Sequence, residues 1–175
     1  AEAIRKHRFV AGQALAFVPG STASLTTVEY EPGLIRDLPE FFERVGALGL
    51  LRGLETNGSR PQVLAGLLGR GLVDYVAMDV KAPLRWDAYR RAAGLEEAAR
   101  EVLEQVRQSV ALLRAAAVEV EFRCTAVPGL HAPSDLLALA RELAGARRFV
   151  LQAFRPGRTL SPEFAYDVTQ VGRVL

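Results

Sequence analysis

Asp79 and Lys81 stand two residues apart at the close of an apolar run, Val73 to Asp79. On an extended chain residues i and i+2 share a face, so this spacing sets a carboxylate and an ammonium side by side. Such a pair complements the two charges of an amino acid zwitterion, and it also reads as a simple ion pair. Other apolar runs close on polar clusters in the same way: Glu29-Tyr30-Glu31-Pro32, Glu55-Thr56-Asn57-Gly58, Arg123 to Pro128, and Gln152 to Pro156. Thr56 and Asn57 read equally as site residues and as turn formers, because Asn-Gly favours a turn. Arg123 alternates with Phe122 and Cys124, so it is a solvated charge or a cation reaching into a site. His131, following Pro128-Gly129, reads as a hydrogen-bond partner within its loop. Cys124 reads as a small core hydrophobe.

The elements that must carry these clusters alternate along the chain. Short apolar runs at Leu25 to Val28, Leu50 to Glu55, Val73 to Asp79, Val118 to Thr125 and Arg148 to Gln152 read as strands. Between them, helical spacing relates Leu38, Phe41, Phe42, Val45 and Leu48, then Val63, Leu64, Leu67 and Leu68, then Val102, Val106, Val110 and Leu113. Ser134 is the expected N-cap of a last helix from Asp135 to Ala144. Strands alternating with helices predict an α/β fold with about five parallel strands, a partial (β/α) barrel, since a closed eight-stranded one takes about 250 residues. In such folds ligands sit at the C-terminal ends of the strands, which is where the polar clusters fall.

Composition narrows the function classes. The chain has 175 residues, half of them hydrophobic, enough for one sizeable core. Its 22 basic and 20 acidic residues leave a formal charge of +2, too small an excess to mark a nucleic-acid binder. No apolar stretch approaches the ~20 residues that cross a bilayer, and the charged opening, Ala1 to Arg8, is unlike a secretory signal. The expectation is a cytoplasmic protein with neither a membrane nor a nucleic-acid partner. A single cysteine excludes an intrachain disulfide and any cysteine-rich metal site built by this chain alone.

Four segments, in order, resemble the radical S-adenosylmethionine (SAM) activases of glycyl-radical enzymes. They are Glu55-Thr56-Asn57-Gly58-Ser59-Arg60-Pro61, Val73-Asp74-Tyr75-Val76-Ala77-Met78-Asp79-Val80-Lys81-Ala82-Pro83, Phe122-Arg123-Cys124-Thr125-Ala126-Val127-Pro128-Gly129-Leu130-His131, and Leu151-Gln152-Ala153-Phe154-Arg155-Pro156-Gly157. The likeness runs over about residues 25 to 160 and is strongest to the activating proteins of anaerobic ribonucleotide reductase and of pyruvate formate-lyase. It implies a (β/α)6 barrel of which this chain holds about five strands, with SAM bound across the strand ends. It further implies a [4Fe-4S] cluster that cleaves SAM reductively, and a radical that takes hydrogen from a glycine of a partner glycyl-radical enzyme. Carried onto this sequence, the cofactor-binding residues are Glu31, Thr56, Asn57, Asp79, Val80, Lys81, Arg123 and Gln152.

The sequence departs from that family at two places. Glu29 and Tyr30 stand where the family motif Gly-Gly-Glu-Pro has its glycines, and the Cys-x3-Cys-x2-Cys segment that ligates the cluster is not in this chain. The expectation is a C-terminal part of an activase, with residues 25–175 forming the partial barrel and residues 1–24 unassigned, inactive by itself. The alternative is a non-catalytic binding or interaction module, in which the sheet edge left open by a missing first βα unit pairs with a second copy. A third reading makes Asp79 and Lys81 the acid-base groups of an unrelated βα enzyme, but no nucleophile or phosphate loop accompanies them.

Overall fold

The computed structural model describes residues 13–16 and 32–155. The elements are β1 (Gln13–Ala16), α1 (Pro32–Gly46), β2 (Leu51–Thr56), α2 (Pro61–Gly69), β3 (Tyr75–Asp79), α3 (Trp86–Ala93), α4 (Arg100–Ala115), β4 (Glu119–Ala126), α5 (Pro133–Glu142) and β5 (Phe149–Ala153). Four of the strands expected from sequence are present as β2 to β5. The fifth expected strand, Leu25 to Val28, lies outside the described residues, as do Glu29, Tyr30 and Glu31. The short β1 falls within the N-terminal segment left unassigned.

All the strands are parallel, in the order β1-β2-β3-β4-β5. Strand order follows chain order, without the reversal that marks a doubly wound sheet. The registers fix the faces. Val76 pairs with Val120 and Met78 with Phe122, and these residues join Cys124 on the face that the helices cover. One continuous cluster takes Phe42 from α1, Leu64 and Leu67 from α2, Tyr89 from α3, Leu103, Val106, Val110 and Leu113 from α4, and Leu139 from α5. Each fully buried aliphatic or aromatic side chain of this set contributes roughly 1.5–3 kcal/mol. The alternate residues, Tyr75, Ala77 and Asp79 on β3 with Glu121, Arg123 and Thr125 on β4, face the other way, as strand geometry requires. The arrangement is compatible with a partial β/α fold.

Two local expectations are corrected. The last helix begins at Pro133, not after Ser134: a proline's fixed φ and missing N–H suit the first helical position, and Asp135 Oδ2 accepts from the Ala132 N–H at 3.1 Å. Leu48, expected on the apolar face of the helix that here ends at Gly46, lies in the following turn and is exposed. β1 pairs along the outer edge of β2 from Leu51 to Leu54, and the open edge expected beside Leu25 to Val28 lies outside the described residues.

Candidate cofactor-binding rim

The C-terminal ends of β2, β3 and β4 meet at one rim because the sheet is parallel and in register there. Asp79 lies directly opposite Arg123, and Thr125 opposite Gln152. Val80 N–H still donates to the Arg123 carbonyl at 2.8 Å, one residue past the end of β3. Val80 and Ala82 are sunk in the core, so Lys81 between them turns its side chain to the rim. Its Nζ meets Asp79 Oδ2 at 2.9 Å. The i, i+2 reading of this pair therefore holds in geometry. Both side chains keep about a third of their surface in solvent, and so placed the pair is worth at most about 1 kcal/mol.

Arg123 reaches across the sheet face that the helices leave uncovered. Its Nη1 donates to Glu55 Oε1 at 2.7 Å, its Nε to Glu121 Oε1 at 2.5 Å, and its Nη2 to the Tyr75 hydroxyl at 3.1 Å. Glu121 also accepts from Arg148 Nη1 at 3.1 Å. Burial acts to raise the Glu121 carboxyl, and the two guanidiniums outweigh it, holding it below the usual carboxylate range. Burial likewise works against the Arg123 charge, but the hydrogen bonds to Glu121 and Glu55 win, and its pKa is raised. The result is a charge-balanced patch under the rim that ties β2 to β4 and to the start of β5.

The structure brings Asp79, Val80, Lys81 and Arg123 together. Thr56 and Asn57 stand at the neighbouring strand end with their side-chain oxygens turned to the backbone: Thr56 Oγ1 accepts from Gly58 N–H at 3.1 Å and Asn57 Oδ1 from Ser59 N–H at 3.0 Å. Gln152 is exposed on β5, where Thr125 Oγ1 donates to its Oε1 at 3.5 Å, the outer limit of a hydrogen bond. Glu31 is outside the described residues. Three residues given no binding role from sequence surround the Lys81 backbone. His131 Nε2 lies 2.7 Å from the Lys81 carbonyl oxygen, Cys124 Sγ lies 3.7 Å from the same oxygen, and the buried Tyr89 hydroxyl is hydrogen-bonded to the Lys81 backbone. The Tyr89 role was hidden in the sequence because its short helix buries little else.

The donor set discriminates between the two implied groups. An α-ammonium and α-carboxylate, as in SAM, match the Asp79 and Lys81 charges at the rim. A [4Fe-4S] cluster does not fit: the one cysteine, Cys124, is buried in the core, and burial pushes its thiol up to about 11. Among the described residues no group of three or more His, Cys, Asp or Glu could hold a metal ion. A small cleft is lined in part by Leu113, Val118, Phe122 and Ala146. It lies toward the other end of β4, away from the rim.

No protein-family model matches the chain. Over 111 residues it is 31% identical to a proposed glycyl-radical enzyme activating enzyme of Methanocaldococcus jannaschii. The match takes in 63% of this chain and 45% of that protein, so the chain corresponds to less than half the length of its curated relative. Among the described residues no helix is long and apolar enough to cross a membrane.

Proposed function

We propose that this chain is the SAM-binding C-terminal part of a cytoplasmic radical SAM activase that acts on a glycyl-radical enzyme of the anaerobic ribonucleotide reductase or pyruvate formate-lyase type. The observation that carries the reading is the Asp79–Lys81 pair at the strand-end rim, within a chain similar over 111 residues to a protein named as such an activase. Asp79 would take the α-ammonium of SAM and Lys81 the α-carboxylate, the two exchanging their mutual contact for the ligand. Glu31, Thr56, Asn57, Val80, Arg123 and Gln152 complete the proposed site. SAM, when bound beside a reduced [4Fe-4S] cluster, supplies a 5'-deoxyadenosyl radical. This chain has the residues for the first task and lacks the thiolates for the second, so by itself it binds without turning over.

Calorimetric titration with SAM tests the first half. Saturable binding is expected, weakened about tenfold or more in Asp79→Asn, the loss expected when a charge-assisted contact is removed. Absence of binding at millimolar SAM would overturn the reading in favour of a non-catalytic interaction module. Chromatography after incubation with SAM, iron, sulfide and dithionite tests the second half, and 5'-deoxyadenosine in the product would overturn the predicted inactivity.

A further inference from the structure

The Lys81 carbonyl sits past the end of β3, where the ladder to β4 has run out, and it takes its hydrogen bond from a side chain fifty residues further along the chain. That side chain is His131, with Nε2 at 2.7 Å. Its other nitrogen is engaged too: Nδ1 accepts from the Val127 N–H at 3.0 Å. Because a backbone N–H can only donate, Nδ1 is the bare nitrogen and Nε2 carries the proton, which it gives to Lys81. The ring is held by its own loop. The backbone N–H groups of Leu130 and His131 both bond the Val127 carbonyl, at 3.2 and 3.0 Å. Gly129 turns that loop at φ 78°, and Arg91 Nη2 of α3 donates to the Leu130 carbonyl at 3.1 Å.

We infer that His131 is a positioning residue of the rim, a strut that sets the Lys81 peptide plane and thereby aims the Lys81 ammonium at the Asp79 side of the site. The inference rests on the proposed role of that pair in taking the two charges of SAM. With both ring nitrogens committed, His131 has none left to serve as a base or to ligate a metal. What it controls is the carbonyl between two core-anchored residues, Val80 and Ala82. The side chain of Lys81 leaves the chain at that point, so a rotation of this peptide swings the ammonium away from Asp79.

Two isosteric substitutions separate the strut from its loop. Asparagine can place an oxygen where Nδ1 lies and keep the Val127 contact; glutamine can reach as far as Nε2 and keep the contact to Lys81. The expected result is that His131→Gln binds SAM as the unaltered chain does, whereas His131→Asn and His131→Ala bind about tenfold more weakly, at unchanged melting temperature for the Asn variant. A ligand-free readout runs beside it. The Lys81 side-chain ammonium resonance should report pairing with Asp79 in the unaltered chain and in His131→Gln, and lose it in the other two. Imidazole nitrogen resonances should show Nδ1 unprotonated. Retained pairing in His131→Asn, or a protonated Nδ1, overturns the inference. If the unaltered chain does not bind SAM, the proposed function fails, and the ammonium and imidazole resonances still decide the strut.

Discussion

The buried Ser109 hydroxyl on α4 donates to the Gly58 carbonyl at 2.7 Å, fastening the turn after β2 to the helix that covers β3. Gly58 has φ 75°, and a Cβ there would lie 2.0 Å from Met78 Cε and 3.2 Å from Ser109 Cβ. The methionine end can move; the backbone angle and the serine cannot easily. Ser109→Ala should lower the unfolding free energy by about 1–3 kcal/mol, since it leaves a buried carbonyl unpaired. Gly58→Ala should cost at least about 1–2 kcal/mol from the left-handed backbone alone. Urea unfolding followed by circular dichroism checks both, and a loss below 0.5 kcal/mol (~0.5 on the scale of a neutral surface change) in either would refute the fastening.

Arg123 is the group on which Glu55, Glu121 and Tyr75 converge, so Arg123→Met should be far more damaging than a surface change. It leaves Glu121, a nearly buried carboxylate, with the exposed Arg148 as its one cation, and loss of the charge-assisted hydrogen bonds of Arg123 costs about 1.5–3 kcal/mol. The pH dependence has a definite sign. A carboxyl whose folded pKa is depressed adds stability above its unfolded pKa of about 4.3, and that stability is lost as the pH falls through the folded value. In Arg123→Met burial is opposed by one guanidinium only, so the acid limb should move to higher pH. Thermal melts from pH 3 to 7 (a range set by ~4.3 for glutamate) check this; superposable acid limbs would disprove it.

Much of this was legible in the sequence, for reasons that particular residues make plain. The alternation of Val118, Val120, Phe122 and Cys124 with Glu119, Glu121, Arg123 and Thr125 gives β4 its two faces, because side chains on a strand alternate whatever the fold. The Asp79–Lys81 contact was readable for the same reason. Strand β1 was not, because Gln13–Ala16 has no β-branched residue and its pairing comes from β2. Helix α3 was missed because Tyr89 is its one buried residue, too little for a periodic signal. The partners of Arg123 divide along this line. Glu121 is two residues away on the same strand, while Glu55 and Tyr75 arrive only through the register of three strands, which no local pattern encodes.

Cys124 should be nearly inert toward thiol reagents in the folded chain. Its thiol is buried, and burial raises its pKa to about 11, so the thiolate that attacks disulfides is scarce at pH 7. Reaction with an aromatic disulfide reagent should be slow in buffer and fast in denaturant, and should accelerate with urea in step with unfolding. Rapid labelling in buffer would show that the β4 core is open. The same burial predicts that iron and sulfide add no cluster absorbance to the folded chain.

Arg52 and Asp74 tie the N-terminal ends of β2 and β3 by four hydrogen bonds. Asp74 Oδ2 accepts from the Arg52 backbone N–H at 2.7 Å and from Nε at 2.9 Å, Oδ1 accepts from Nη2 at 3.0 Å, and the Asp74 N–H donates to the Arg52 carbonyl at 2.8 Å. The guanidinium hydrogen bond holds the Asp74 carboxyl below its ordinary value, so the contact stabilises above the unfolded pKa of about 3.9 and fades as pH falls through the folded one. Asp74 keeps a third of its side chain in solvent, which limits Asp74→Asn to about 1–2 kcal/mol at neutral pH. Gly46 at the end of α1 makes room for the fork: a Cβ there would lie 3.0 Å from Arg52 Nη1. Gly46→Ala should therefore displace the guanidinium and weaken the same contact from outside the pair. Its effect should largely vanish when Asp74 is already asparagine, giving a coupling energy of at least about 0.5 kcal/mol in a double-mutant cycle. Additive losses at neutral pH would mean that the glycine serves the helix end and not the ion pair.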